Sequence, residues 1–162
     1  MTETAHPLMD LKKALAPGAC LMGLDLGTKT IGIAISNSAL TLASPITTLS
    51  RTKFTADAQA LLKLVASHKV GGLVMGLPLN MDGSEGPRAQ STRAFARNFE
   101  QLDAPPLVFW DERLSTVAVT RTLIEADVSR KKRRNVVDKM AAAFILQGAL
   151  DFLSRRLKPG DN

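Results

Sequence analysis

The chain has 162 residues, of which 45% are hydrophobic and 22% charged, with a net charge of +6 at pH 7 and a single cysteine. That length suits one domain around one core, burying roughly 68–70% of the surface its unfolded chain exposes. The composition excludes a disordered or fibrous protein, lone Cys20 excludes an internal disulfide framework or a cysteine-rich zinc site, and no run approaches the ~20 apolar residues of a membrane span.

Residues 1–19 read as a flexible leader without the continuous apolar run of a signal peptide, so a cytoplasmic protein with no membrane partner is expected. "CLMGLDL" and "TIGIAIS" are strand patterns joined by the tight "GTK" turn, a hairpin. "TLASPITTLS" follows as a third strand, with Pro45 marking an edge or an irregularity. From Thr55 the period changes: Ala58, Leu61, Leu62 and Val65 recur at helical spacing. "GLVMG" is a short buried strand, and "LPLNMDGSEGPR" is a loop leading into a helix with Phe95, Phe99 and Leu102 inward. "PPLVFW" is a further strand, stopping at "DERLST", where Ser115 can cap a helix to about Ala126. The basic tract "SRKKRRN" separates it from a last helix over about Val137 to Arg156. Three strands followed by alternating helices and strands predict an α/β fold: a five-stranded mixed sheet, its first three strands antiparallel, with helices on both faces. The domain is expected over residues 20–157, with 158–162 a tail.

The charge is uneven. Residues 1–87 hold seven Lys and Arg against six Asp and Glu, whereas residues 88–162 hold fourteen against nine. A polyanionic partner, nucleic acid first, is the simplest reading of this bias, and solvated surface lysines are the alternative.

Three acids stand where apolar residues are expected. Strand alternation puts Asp25 on a face with Leu21 and Gly23, where an ionised carboxylate costs several kcal/mol unless paired or bound to metal. Asp111 and Glu112 end an apolar strand at the carboxyl edge of the sheet, where open α/β folds place ligands. They face opposite sides, so one is expected to serve, Glu112 before Asp111. Asp138 heads a stripe with Ala142, Ile145, Ala149 and Phe152, the side of the last helix that packs on the sheet. Each acid has a structural alternative: Asp25 can cap the following turn, and the others can favour the positive ends of helices. A shared divalent cation accounts for all three together, and one or two Mg²⁺ or Mn²⁺ ions on carboxylates are the standard means of clamping the oxygens of phosphodiester hydrolysis.

Taken in order, "GLDLGTKTIGIAIS", "VMGLPLNMDGSEGPR", "DERLST" and "VVDKMAAAFILQ" resemble the YqgF/RuvX family of RNase H-like proteins, described as pre-16S rRNA nucleases and formerly as Holliday junction resolvases. The resemblance spans about residues 20–152. It implies an RNase H-like fold, with Asp25, the acid of "DER" and Asp138 as metal-binding carboxylates, and a role in maturing the 5′ end of 16S ribosomal RNA. One departure from the wider superfamily is that "GLVMG" carries no acid.

Further residues have the chemistry to contact nucleic acid. Arg113 beside the acids suits bidentate contact with the scissile phosphate, or a surface ion pair. Thr28 and Lys29 stand at the hairpin tip beside Asp25, and Asn80 and Asp82 in the loop after the fourth strand can line the cleft. Arg93 and Arg97, four apart on a helix, and the run Arg130, Lys131, Lys132, Arg133, Arg134 offer phosphate contacts or a solvated face. With no tyrosine and one tryptophan, a stacking platform for single strands is not expected; backbone reading is. The favoured substrate is an rRNA precursor, with branched DNA second and a monomer or weak homodimer as the assembly. The rival reading is a non-catalytic RNA-binding or ribosome-assembly factor that keeps the fold; an ATPase of the actin and sugar-kinase kind needs about twice this length.

Overall fold

The computed structural model describes residues 6–114 and 130–156; within the last helix the described side chains are those of 139–155. The elements are α1 (Pro7–Ala14), β1 (Cys20–Leu26), β2 (Thr30–Ser36), β3 (Ala43–Ser50), α2 (Phe54–Ser67), β4 (Val70–Leu77), α3 (Pro87–Glu100), β5 (Leu107–Asp111), a single 3₁₀ turn (Glu112–Leu114) and α4 (Arg130–Arg156).

The five strands form one sheet in the order β3-β2-β1-β4-β5. β1, β2 and β3 pair antiparallel, whereas β4 pairs parallel with β1 and β5 parallel with β4. This is the expected mixed sheet. Each parallel pairing requires a crossover, which α2 and α3 supply. Pro45 sits in edge strand β3, beside the register shift between Ile33 and Ala34, where a missing N–H costs no central ladder bond.

Both faces are covered, which is why β1 is buried along its whole length. On one face Leu24, Leu26, Ile31, Ile33 and Leu73 pack with Leu61 of α2 and Phe95 and Phe99 of α3. On the other, Leu21, Ala34, Val74 and Trp110 pack with Ala142, Ile145, Leu146 and Ala149 of α4.

Three boundaries differ from expectation. The leader is not wholly flexible: residues 7–14 form α1, started by Pro7 with the His6 ring accepting from the Leu8 amide, and Leu8 and Leu11 are buried in the α4-side core. Two inward leucines in eight residues are too short a pattern for helical periodicity to register. Leu102 lies beyond the end of α3 and is 39% exposed; the inward face of that helix is Ala89, Thr92, Phe95, Ala96 and Phe99. Finally, α4 begins at Arg130, so the basic run is the start of the long helix rather than a connector. The helix expected from Ser115 to Ala126 and the 158–162 tail lie outside the described residues.

Candidate active site

Asp25 is the next-to-last residue of β1 and is 2% exposed. Its face is set by Gly23, two residues earlier: a methyl added there would lie 2.7 Å from Leu146 Cβ and 2.8 Å from the Ala142 carbonyl oxygen, so β1 and α4 touch nearly backbone to backbone. Alternation carries Asp25 to that same α4 side.

The neighbouring strand explains what meets it. Leu24 of β1 pairs with Met75 of β4, so the next positions along, Asp25 and Gly76, stand side by side; Gly76 in turn pairs with Trp110 of β5. A methyl on Gly76 would lie 2.5 Å from Ile145 Cδ1, 2.8 Å from Glu112 Oε1 and 3.2 Å from Glu112 Cγ. The Glu112 side chain, two residues beyond Trp110, therefore folds back over Gly76 into the space a side chain there would fill. Asp25 and the Glu112 side chain, 87 positions apart in sequence, are thus placed on the same face of the sheet, at the carboxyl ends of β1, β4 and β5. Gly76 was not legible as a site residue; its signal is that the acid-free strand "GLVMG" ends on a glycine just where the neighbouring strand has its acid.

Asp111 is directed elsewhere. Arg113 Nη2 donates to Asp111 Oδ2 at 2.6 Å, Arg113 Nε lies 3.0 Å from both carboxylate oxygens, and the Arg113 amide donates to Oδ1 at 2.9 Å. The hydrogen bonds from Arg113 hold the Asp111 carboxyl below the usual carboxylate range, and the same pairing raises the guanidinium. Arg113 Nη1 also donates to the Met81 carbonyl at 3.1 Å, fastening the loop after β4 to the end of β5. That loop is braced internally. Asn80 Nδ2 donates to Ser84 Oγ, and the Ser84 amide and hydroxyl donate to Asp82 Oδ1, which lowers the Asp82 pKa.

The nucleic-acid candidates divide. Thr28 and Lys29 are exposed at the hairpin tip just past Asp25, and Arg97 is exposed on α3. Arg93 is engaged: its Nε donates to Glu85 Oε1 at 2.7 Å, and its guanidinium lies 5.0 Å from the Phe109 ring centroid. Arg130, Lys131, Lys132, Arg133, Arg134 and Asp138 belong to α4, but their side chains lie outside the described set. Among the described residues no three His, Cys, Asp or Glu side chains group as a metal site, and none of the helices is long and apolar enough to cross a membrane.

The chain can be set beside known proteins. The family model described as RuvX, Holliday junction resolvase, matches residues 19–152. A chain from Paracoccus denitrificans (strain Pd 1222), named "Putative pre-16S rRNA nuclease", is 64% identical over 141 residues, covering 87% of this chain and 89% of its own. One of the same name from Chelativorans sp. (strain BNC1) is 61% identical over 152 residues, covering 93% and 95%. The solved structure of T. thermophilus RuvC in complex with Holliday junction substrate aligns with a TM-score of 0.53 over 84% of this chain and 96% of its own, at 8% identity, a likeness of fold alone. The mixed five-stranded fold is shared with that structure. With a family model covering most of its length and relatives near-complete in overlap at about 60% identity, the chain belongs to the RuvX family.

Proposed function

We propose that this protein is a divalent-metal-dependent nuclease of the cytoplasm, hydrolysing phosphodiester bonds at the 5′ end of the 16S rRNA precursor as a monomer or weak homodimer. The observation that carries the reading is the folding of Glu112 over Gly76, on the same sheet face and beside the strand that carries Asp25. Carboxylates gathered at one largely apolar sheet edge are the donors a divalent cation takes, and binding it offsets the cost of their burial. The relatives' name supports an RNA precursor as substrate, and the family's description keeps branched DNA as the second substrate to test.

The donor set suits Mg²⁺ or Mn²⁺, which take hard carboxylate oxygens, and the absence of a side chain at Gly76 leaves room for Glu112 to fold over it toward the β1 edge. Asp25, Glu112 and Asp138 are the residues that would hold one or two ions. When bound, such ions activate a water and stabilise the attacking and leaving oxygens of phosphodiester hydrolysis. The chain's own part is to fix the carboxylates. Asp25 is held within a paired strand, and Glu112 folds over Gly76 from the start of the 3₁₀ turn. Asp111 then acts as a positioning residue, locking Arg113 and through it the 80–84 loop beside the acids.

The test incubates purified protein with an rRNA precursor and with a four-way DNA junction, in Mg²⁺ or Mn²⁺ and in EDTA, beside Asp25→Asn and Glu112→Gln. Metal-dependent cleavage of the RNA, lost in both variants while their melting transitions persist, is expected. Cleavage that survives in both variants overturns the assignment. Tight RNA binding with no cutting by the wild type would turn the reading to a non-catalytic assembly factor.

A further inference from the structure

Around the same hairpin tip, on the α3 side of the sheet, lies a cleft of about 190 Å³ bounded by Leu26, Gly27, Thr28, Arg51, Arg88 and Ser91. Among the described residues, no carboxylate lines it. Its two arginines belong to neither of the ion pairs found among the described residues, which join Arg93 to Glu85 and Arg113 to Asp111. Arg51 is held in place instead by backbone and ring. Its amide donates to the Lys29 carbonyl at 2.8 Å, its Nη1 donates to the Gly27 carbonyl at 2.7 Å, and its guanidinium lies 5.8 Å from the Phe95 ring centroid. Arg88 is held more loosely, with Nη2 3.4 Å from the Leu26 carbonyl, a long bond that a stronger acceptor displaces readily. A guanidinium presents five N–H donors in a planar fork, so these single carbonyl bonds leave most of the donors of both side chains for an incoming oxyanion. The exposed hydroxyls of Thr28 and Ser91 add neutral donors at the same rim.

We propose that this cleft grips a backbone phosphate of the substrate strand adjacent to the one being cut. The inference rests on the nuclease reading above and adds to it a binding site on the opposite face of the sheet. Leu26, whose carbonyl Arg88 touches, directly follows Asp25, so a strand laid over the rim of β1 meets the acids on one side of the hairpin tip and the two cations on the other. Arg51 is the fixed element and Arg88 the one that swings onto the phosphate. Such a contact sets the register of the strand without reading its sequence.

The measurement is the affinity of a fluorescein-labelled RNA carrying the precursor's 5′ flank, by anisotropy over a range of salt, in the non-cutting Asp25→Asn background. Arg88→Ala is the test, because Arg88 is exposed and its loss leaves the core intact; Arg88→Lys probes the fork, and Lys63→Ala, on the outer face of α2, is the control. Arg88→Ala is expected to weaken binding several-fold and to reduce the slope of log K against log[salt] by roughly 0.7–0.9, the share of one phosphate contact. Arg88→Lys should recover the slope but only part of the affinity, and Lys63→Ala should leave both unchanged. A slope unchanged in Arg88→Ala, with wild-type protein still cutting RNA, overturns the cleft and leaves the nuclease reading standing. The expected slope change with no cutting by wild type sinks the nuclease reading and keeps the phosphate site. Inorganic phosphate supplies the last arm: if it raises the Tm of wild type but not of Arg88→Ala, while RNA binding is equal in the two, the cleft takes a free anion and the backbone assignment is overturned.

Discussion

Asp25 and Asp57 are both buried acids, 2% and 5% exposed, yet their surroundings assign them different work. Asp57 accepts from the Thr52 amide and hydroxyl, tying the chain that enters α2, and its carboxylate is satisfied by its own loop. Asp25 instead lies on the α4 side of β1, beside the strand position over which Glu112 folds. Asp25→Asn keeps the size of the side chain and removes its charge, so it is the variant that tests metal binding at this position. Mn²⁺ should raise the Tm of wild type, by about 2.7 kcal/mol of stability at a hundred times its Kd, and leave the variant nearly unmoved. Gly76→Ala tests the cradle directly. A methyl 2.5 Å from Ile145 and 2.8 Å from Glu112 must displace one of them, which should cost about 1–3 kcal/mol in denaturant unfolding and reduce cleavage in proportion to how far Glu112 moves. Acid supplies another test. Because Arg113 lowers the Asp111 carboxyl from its ordinary 3.8, the stabilisation from this pair is fully present above about pH 4 and is lost as pH falls through the lowered value. Asp111→Asn should therefore show a shallower fall of Tm on the acid side, and faster amide exchange in the 80–84 loop at neutral pH.

At the scale of elements, the carboxyl ends of β1, β4 and β5 are where the candidate chemistry gathers, and the helices decide what reaches them. The strands and α2 were legible because their patterns are long and unbroken: seven apolar-rich residues in β1, seven in β2, and a 14-residue helix whose apolar positions recur every three or four residues. Helix α1 was not, because eight residues with charged Asp10, Lys12 and Lys13 resemble a solvated leader until the core is there to receive Leu8 and Leu11. Leu8 is fully buried against the α4-side cluster, so Leu8→Ala should cost about 2–5 kcal/mol, a loss that a flexible leader could not produce. Chemical denaturation of that variant measures it. The start of α4 was misjudged for a related reason: consecutive Lys and Arg read as a solvated connector, yet they are good helix formers and extend a helix already anchored by Ala142, Ile145, Leu146 and Ala149.

For the whole molecule, the topology is what lets a chain of this size assemble a site from distant segments. Placing β1 in the centre, between β2 and β4, puts the first acid in the most enclosed strand, and the parallel run β1-β4-β5 brings Glu112 to the same rim. The excess of positive charge in the second half of the chain predicts RNA binding that weakens steeply with salt, to be read as a linear fall of log K with log[salt] in the non-cutting background. The sequence by itself determined the class of fold, the first hairpin, an edge or irregularity at Pro45 and the anomaly of acids at apolar strand ends, because alternation, helical period and the cost of burying charge are local properties of the chain. Only the tertiary structure decided that Glu112 and not Asp111 lies over Gly76 beside Asp25, that Arg113 is spent on Asp111 and the 80–84 loop, and that Arg51 and Arg88 share a cleft. Those outcomes depend on strand order and register, which join residues tens of positions apart, and no local pattern records which of two neighbouring side chains will face a helix that arrives later in the chain.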